Sequence, residues 1–245
     1  MVATTSEARF PDPMGGLMAV PVPSSLWAGR QTLTSAEAHQ VLRANPGTYQ
    51  AAFALGLLLG LRKNEVLALR RTDFDAPTST LSIRPVTDDT SAAGRPRLLP
   101  VTPELRPYLL PHLAESRDLL FPSAAGGVRG PRAKLHERVR SAIKRAGLLV
   151  GYEQTCRRCA IRSTAPTNAP ARCVQCGCCL WVEPMPRPLT FLDLRATFAR
   201  LADEAGLQGS VQRYTMGLRP RARDRDWAQD PMGLRSELER LHLRP

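Results

Sequence analysis

Two closely spaced pairs of cysteines constrain the fold of this chain more than any other sequence feature. All six cysteines lie between Cys156 and Cys179, and four of them have the spacing C-x2-C-x13-C-x2-C. Four thiolates in two close pairs suit the tetrahedral coordination of zinc, with each pair forming a tight turn around the ion. The predicted ligands are Cys156, Cys159, Cys173 and Cys176. Cys178 and Cys179 are spare, so either of them could replace Cys176 as the fourth ligand.

The segment that carries these cysteines, 152–187, is predicted to be an inserted zinc ribbon. A segment this short cannot bury a core of its own, so a metal ion would supply most of its folding energy. Four thiolates leave no open position for a catalytic water, and the predicted zinc is therefore structural. A disulfide cluster is an alternative that a cytoplasmic location disfavours. An iron–sulfur cluster ranks lower because the spacing matches no common ferredoxin pattern.

The charge of the chain favours a polyanionic partner. The 34 Lys and Arg residues exceed the 22 Asp and Glu residues, which gives a net charge of +12. Only Lys63, Lys134 and Lys144 are lysines. The excess is spread along the chain, and nucleic acid is the first candidate partner. Guanidinium groups suit that role because their planar fork matches two phosphate oxygens. Genome base composition could explain the preference for arginine over lysine, but it does not explain the excess charge.

The sequence contains no segment typical of membrane insertion or secretion. The longest apolar run, from Ala51 to Leu61, is too short to span a bilayer. No positively charged segment followed by an apolar one opens the chain. These features predict a cytoplasmic protein without a membrane partner.

Apolar periodicity predicts a mixed α+β fold that is mostly helical. Residues 1–31 are rich in Pro, Gly, Ser and Ala and are predicted to be a disordered arm. Two alternating segments, 80–85 and 97–101, are expected to pair as strands across a polar turn. Helices are expected over 34–44, 48–61, 64–71, from 102 onward, 131–146, 191–205 and 232–241.

Three short segments then point to a family. They are LGLRKNEVLAL from Leu59, LDLRATF from Leu192 and QRYT from Gln212. In this order they resemble the catalytic domain of the tyrosine recombinase (phage integrase) family, over about residues 32–215 apart from the insertion. The resemblance implies an integrase-like catalytic domain in two parts, 32–151 and 188–217, with a small antiparallel sheet. Residues 218–245 would form a basic connector and a C-terminal helix.

The resemblance also implies roles for four residues. Arg62 and Arg195 would hold the scissile phosphate, because fixed guanidinium groups stabilise the extra negative charge of a pentavalent transition state. The phenolic oxygen of Tyr214 would attack the phosphorus and form a phosphotyrosyl intermediate. Glu65, one helical turn after Arg62, would orient an arginine. The implied activity is DNA strand breakage and rejoining in site-specific recombination or integration.

The chain departs from the family pattern at the groups that transfer protons. Leu192 stands where the family has a histidine, Ala196 where many members have another, and a further His or Trp position falls near Ala205. The turn at 86–96 lacks the lysine that serves the family as general acid. Each acid–base group typically contributes about 10²–10⁴-fold to a rate. A catalytically degenerate, non-enzymatic DNA-binding protein that retains the integrase fold is therefore the alternative to an active recombinase.

The ribbon adds a basic surface to the predicted DNA contacts. No acidic residue lies between Cys156 and Cys179, and the segment carries four arginines: Arg157, Arg158, Arg162 and Arg172. Such a surface favours binding to DNA phosphates, and docking to another protein is the alternative. The expected partners are double-stranded DNA and, on that DNA, further copies of the chain or a partner recombinase. An RNA-binding or scaffold module is a third, weaker interpretation.

Overall fold

The computed structural model describes residues 29–85, 95–116, 118–123, 126–127 and 135–244. The helices in these residues are α1 Ser35–Arg43, α2 Thr48–Leu59, α3 Lys63–Ala68, α4 Arg106–Glu115, α5 Leu135–Arg145, α6 Phe191–Glu204, α7 Gly209–Thr215 and α8 Pro231–Leu238. The strands are β1 Phe74–Asp75, β2 Thr80–Ile83, β3 Arg97–Pro100, β4 Leu149–Thr155, β5 Arg162–Ala165 and β6 Trp181–Pro186. The predicted mixture of many helices with small antiparallel sheets is confirmed.

Helix α2 is the centre of the hydrophobic core. Every residue from Ala51 to Leu59 is buried, and a helix that is apolar on all sides has to be enclosed by other elements. Gly56 has no side chain, and Phe191 and Leu194 of α6 lie directly against it. The close contact of α2 with α6 brings the loop after α2, which begins at Gly60, next to the helix that carries Arg195.

A three-stranded antiparallel sheet in the order β1-β2-β3 lies between α3 and α4 along the chain. Leu81 of β2 pairs with Phe74 of β1 and with Leu99 of β3. Alternation along β2 buries Leu81 and Ile83 and directs the intervening residues outward. The predicted strand pair is confirmed, and the polar turn expected between these strands lies outside the described residues for positions 86–94.

The inserted segment forms a second antiparallel sheet, in the order β5-β4-β6. Its base is joined to the rest of the chain by Arg187, whose backbone N–H donates to the Leu148 carbonyl at 3.0 Å. The Arg187 guanidinium also pairs with Glu37 of α1, with 2.7 Å between Nη1 and Oε1. These contacts fix the end of the insertion immediately before α6 begins. The sequence did not predict the three strands.

The C-terminal residues complete the core of the same chain. Leu234 and Leu238 of α8 and the preceding Trp227 are each at most 2% exposed, and α8 packs against β3 and α7. Asp230 caps α8 by accepting a hydrogen bond from the Gly233 N–H. Among the described helices, none has both the length and the apolar character needed to cross a membrane.

Some predicted boundaries were wrong. Helix α4 begins at Arg106 and not at 102, because the Thr102 carbonyl accepts from the N–H groups of Leu105 and Arg106 in a preceding turn. Helix α3 ends at Ala68, and the residues after it form a short 3-10 turn. Helix α7 was not predicted. The predicted arm lies outside the described residues except for 29–31, and the predicted domain boundaries remain predictions.

Gly60 is expected to be essential for the packing of α2 on α6. It ends α2 with φ of +59°, and a Cβ built there would lie 2.5 Å from Cδ1 of Phe198. Gly60→Ala combines a strained left-handed backbone with this overlap, so we expect a loss of about 2–4 kcal/mol in the free energy of unfolding. Gly147→Ala is the matched control, because Gly147 has φ of +70° and no atom within 4 Å of its Cβ position. Urea denaturation of both variants measures the difference, and equal losses would contradict the packing role.

Candidate functional site

Arg62 and Arg195 line one open cleft of about 340 Å³ at the junction of α2, α3 and α6. Arg62 is the residue before α3 and is half-buried. Its backbone N–H donates to Oε2 of Glu65 at 2.8 Å, which caps the first turn of α3. The basic residue Lys63 lines the same cleft. The structure therefore brings together the two arginines that the sequence assigned to a phosphate.

Arg195 is held rigidly at the inner wall of this cleft. Its side chain lies on α6, and the residue is only 3% exposed. Nη1 donates to the Gly60 carbonyl at 2.6 Å, and Nη2 donates to the Met216 carbonyl at 2.7 Å. These charge-assisted bonds fix the plane of the guanidinium and join α6 to the ends of α2 and α7. Arg195 therefore has a structural role in addition to its place in the cleft.

The cleft contains no histidine among its described lining residues. Leu192 is 42% exposed and forms part of the wall. Ala196 is 1% exposed and belongs to the interior of the chain. A leucine side chain cannot donate or accept a proton. Leu192 and Ala196 therefore supply no proton-transfer group, and Lys63 is the acid–base side chain among the described lining residues of this cleft.

Tyr214 lies on a different cleft. It belongs to α7 and is half-buried, and its hydroxyl donates to the Leu98 carbonyl of β3 at 3.5 Å. Burial of the ring raises the pKa of the hydroxyl above its ordinary value near 10, and the positive charge of Arg97 opposes this shift without reversing it. The residues that line the Tyr214 cleft include Arg97 and Arg213 but neither Arg62 nor Arg195.

A buried ion pair between Glu65 and Arg97 connects the two clefts. Nη1 and Nη2 of Arg97 donate to Oε1 and Oε2 of Glu65 at 2.8 and 3.0 Å. Nε of Arg97 donates to the Thr215 carbonyl at 2.9 Å, directly after Tyr214. Glu65 thus orients Arg97, and its predicted role at the phosphate site stays a prediction. Sequence reasoning missed Arg97, because one arginine in a strand of an arginine-rich chain carries no distinguishing signal.

The four cysteines of the predicted pattern converge. The Sγ atoms of Cys156, Cys159, Cys173 and Cys176 all lie within 4.8 Å of one another. Three of the separations are 3.4 Å (Cys156–Cys176), 3.4 Å (Cys159–Cys173) and 3.8 Å (Cys159–Cys176). Tetrahedral Zn–S bonds of about 2.3 Å place sulfurs about 3.8 Å apart, whereas a disulfide needs about 2.05 Å. The cluster could therefore hold a metal ion, and Cys178 and Cys179 are not part of it.

Backbone hydrogen bonds lower the pKa of the first cysteine in each pair. Hydrogen bonds among the thiols raise the pKa of Cys159, and they raise that of Cys176 against the lowering effect of the Cys178 backbone. Hydrogen bonds from the backbone of Cys159 and Arg158 lower the pKa of the Cys156 thiol to about 6, although burial acts in the opposite direction. The backbone of Gln175 and Cys176 lowers the pKa of Cys173 in the same way. In each pair the donors stand two and three positions after the first cysteine. This repeated arrangement suits a cation, because metal binding requires deprotonated sulfur.

The four ribbon arginines are exposed, but they do not form one cluster. The Arg157 guanidinium stacks on the exposed ring of Trp181, 4.0 Å from its centroid. Arg162 pairs with Glu153 at 3.6 Å, and Arg172 donates to the Gly177 carbonyl at 3.1 Å. Arg158 follows Arg157 in the turn between the first two cysteines. All four guanidinium groups are therefore accessible from the surface of the ribbon.

Solved recombinases and integrases share this architecture. The crystal structure of XerA recombinase matches with a TM-score of 0.50 and 17% identity, over 98% of this chain and 63% of that one. The integrase from mycobacterium phage Brujita matches with a TM-score of 0.52 and 15% identity, over 88% and 59%. The Tn1549 transposon integrase matches with a TM-score of 0.52 and 16% identity, over 76% and 57%. No protein-family model matches the sequence, and no curated protein matches it.

These matches define the class of fold. The chain has the integrase-like catalytic-domain fold of the tyrosine recombinases, with two small antiparallel sheets among its helices. It spans about 57–63% of the length of the three solved chains. Identities of 15–17% make this a likeness of fold.

Glu65→Gln is expected to lower the free energy of unfolding by about 3–5 kcal/mol, because it leaves the charge of Arg97 buried without a carboxylate. Both side chains of the pair are at most 3% exposed. Glu204→Gln is the control, since its pair with Arg200 is 50% and 41% exposed and contributes at most about 1 kcal/mol. Chemical denaturation of the two variants at the same pH tests this difference. A loss below about 1 kcal/mol in both variants would show that the buried pair does not stabilise the fold.

Proposed function

We propose that this protein binds duplex DNA with Arg62 and Arg195 facing one backbone phosphate. The convergence of these two arginines in an open cleft of a recombinase fold carries the proposal. A guanidinium that is fixed before binding loses little side-chain entropy when it meets a phosphate, and the carbonyl bonds of Arg195 provide that fixation. The net charge of +12 supports the same partner by attracting the DNA over a long range.

Arg62→Gln is expected to weaken binding to a duplex oligonucleotide about tenfold at low salt, because it removes one charge-assisted contact to phosphate. Arg62 is preferable to Arg195 for this test, since the buried Arg195 also supports the fold. Arg240→Gln is the control, because Arg240 pairs with Glu237 on the C-terminal segment and lies outside the cleft. Fluorescence anisotropy with a labelled duplex measures the two affinities. Equal weakening in the two variants would show that Arg62 contributes only its positive charge to DNA binding, which would contradict a specific contact with a phosphate.

Strand breakage and rejoining through Tyr214 is the reaction that we propose for this fold. The Tyr214 oxygen would attack a phosphorus, a DNA hydroxyl would leave, and a phosphotyrosyl bond would hold the strand until the hydroxyl returned. Tyr214 would have to leave the Leu98 carbonyl and reach the phosphate held by Arg62. The bond to Leu98 is at the limit of hydrogen-bond length, so breaking it costs little.

DNA binding without cleavage is the second candidate, and three observations favour it. Tyr214 lines a different cleft from Arg62 and Arg195. The pKa of its hydroxyl is raised, which disfavours the phenolate that attacks. Leu192 and Ala196 supply no proton-transfer group. The fold and the arginine pair are common to both candidates, so only an experiment on the covalent step separates them.

A nicked duplex that traps covalent intermediates separates the two candidates. If strand breakage occurs, a protein–DNA adduct will survive denaturing electrophoresis with the unmodified chain and will be absent with Tyr214→Phe. Tyr152→Phe is the matched control, because Tyr152 lies on β4 in the ribbon sheet, away from both clefts. Retained DNA binding without an adduct in any of the three proteins would contradict cleavage and support the second candidate.

We also propose that the cysteine cluster binds a structural zinc ion. The sulfur separations and the four-thiolate donor set support zinc among divalent ions. Zinc bound there would hold the turns of the ribbon in place and would leave catalysis to other residues. The exposed ribbon arginines Arg157, Arg158, Arg162 and Arg172 would then contact DNA phosphates beside the main cleft.

Cys176→Ser is expected to reduce the zinc content of the purified, reduced protein well below one equivalent, because it removes one of four ligands. Cys178→Ser is expected to retain the full content, since Cys178 lies outside the cluster. Elemental analysis by mass spectrometry measures both proteins. Equal zinc loss in both variants would show that Cys178 shares the coordination, and no zinc in the unmodified protein would contradict the site.

Proteins of the same fold have been solved bound to DNA. A lambda integrase dimer has been solved bound to a COC′ core site, with a TM-score of 0.50 and 15% identity to this chain. The Tn1549 integrase has been solved in complex with circular intermediate DNA. On the basis of these folds we propose that two or more copies of this chain, or one copy and a partner recombinase, meet on duplex DNA.

A further inference from the structure

The cleft beside Tyr214 is larger than the cleft that Arg62 and Arg195 line. It lies between β3 and the end of α7 and has a volume of about 430 Å³, within the range of about 300–1,000 Å³ typical of small-molecule sites. Five arginines line it: Arg95, Arg97, Arg213, Arg221 and Arg225. Asp224 and Asp226 are its acidic lining residues among those described. We name it the β3–α7 cleft.

Arg213 is the most buried cation of this cleft apart from Arg97. It is 7% exposed, and its Nε and Nη2 atoms both donate to the carboxylate of Asp224, with 2.6 Å between Nε and Oδ2. Its third nitrogen, Nη1, is buried and has no hydrogen-bond partner. An unsatisfied buried donor on a charged group costs free energy, and an acceptor brought into the cleft would recover part of it after a small shift of the side chain.

Two further arginines of the cleft are not committed to carboxylates. Arg97 is held by Glu65, and Arg225 pairs with Asp230. Arg95 and Arg221 are exposed and form no ion pair within the described residues. Asp224 is paired with Arg213, whereas Asp226 accepts only from the neutral donors of Ala228 and Gln229 and keeps its negative charge. Arg95 and Arg221 together outweigh that charge, so the unpaired charge of the lining is positive on balance.

We propose that the β3–α7 cleft binds a phosphate ester through Arg95, Arg213 and Arg221. The exposed guanidinium groups of Arg95 and Arg221 can each meet two phosphate oxygens, and Nη1 of Arg213 can donate to a third, which favours a phosphate over a monatomic anion such as chloride. The phenol of Tyr214, whose bond to Leu98 is long, provides a further donor and a flat ring on one side. The ester can be a phosphate of bound DNA or a free nucleotide. The β3–α7 cleft shares no lining residue with the Arg62 cleft, so binding at the two clefts can be measured separately by substitution.

Thymidine 5′-monophosphate is a suitable probe, and thymidine without phosphate is its chemical control. We expect calorimetric titration of the full chain to detect the monophosphate and not thymidine. Arg95→Gln and Arg221→Gln, which change exposed side chains and leave Asp224 paired, should each weaken this binding about tenfold, the usual effect of one lost charge-assisted contact. Arg240→Gln should leave it unchanged, Arg62→Gln is measured beside them to locate the probe, and circular dichroism should show all four variants folded.

Two outcomes would overturn the site. One is monophosphate affinity in Arg95→Gln and Arg221→Gln equal to that of the unmodified chain. The other is a loss in Arg62→Gln as large as theirs, which would place the probe in the Arg62 cleft. The affinity of Arg95→Gln and Arg221→Gln for duplex DNA then identifies the source of the ester. A parallel decrease assigns the site to a DNA phosphate, and unchanged DNA affinity assigns it to a free nucleotide.

Discussion

The buried ion pair of Glu65 and Arg97 is the interaction on which the arrangement of both clefts depends. Removing two charges from water is costly, and such a pair persists only when hydrogen bonds satisfy its remaining atoms. Here Glu65 accepts from Arg97 twice and from the Arg62 N–H, and Arg97 also donates to the Thr215 carbonyl. The pair therefore joins the start of α3, the start of β3 and the end of α7. Gly217 makes room for it, because a Cβ there would lie 2.7 Å from Nη1 of Arg97.

Arg195 makes a second set of buried hydrogen bonds, at the same helix end that Arg97 contacts. It binds the carbonyl at the end of α2 and the carbonyl after α7, one residue beyond the carbonyl that Arg97 binds. The two buried arginines, Arg97 and Arg195, thus donate to successive carbonyls at the C-terminal end of α7. This arrangement explains why Arg62 and Tyr214, although linked through one network, face different clefts. The cleft of Arg62 and Arg195 therefore offers fixed positive charge, the feature that stabilises a bound anion.

The sequence predicted the elements whose signals are local. The cysteine spacing identified the four residues that converge, the apolar run from Ala51 identified α2, and alternation identified β2 and β3. The motif around Arg62 and Arg195 predicted that they meet. The partner of Glu65 could not be predicted, because Arg97 is 32 residues away and only the folded sheet brings it close. The direction of the Tyr214 ring could not be predicted either, because a short motif does not determine which face of an unpredicted helix carries the side chain.

The ribbon, with its sheet and its four-cysteine cluster, lies between α5 and α6 along the chain. Its two ends leave the body after α5 and return before α6, and the pair of Arg187 with Glu37 fixes the return point. The contact of α6 with α2 places Arg195 beside the end of α2. The exposed ribbon arginines add positive charge to the surface of the segment that precedes α6.

A structure of the protein bound to duplex DNA would test most directly whether Arg62 and Arg195 face a backbone phosphate. The quantity to measure is the distance from the nearest backbone phosphate oxygen to the guanidinium nitrogens of Arg62 and Arg195. We expect one phosphate to enter the cleft lined by Arg62 and Arg195 and to lie within about 3.2 Å of a nitrogen of Arg62, with the Arg195 guanidinium beside it. A complex in which the DNA lies on another face, with no phosphate in this cleft, would contradict the account.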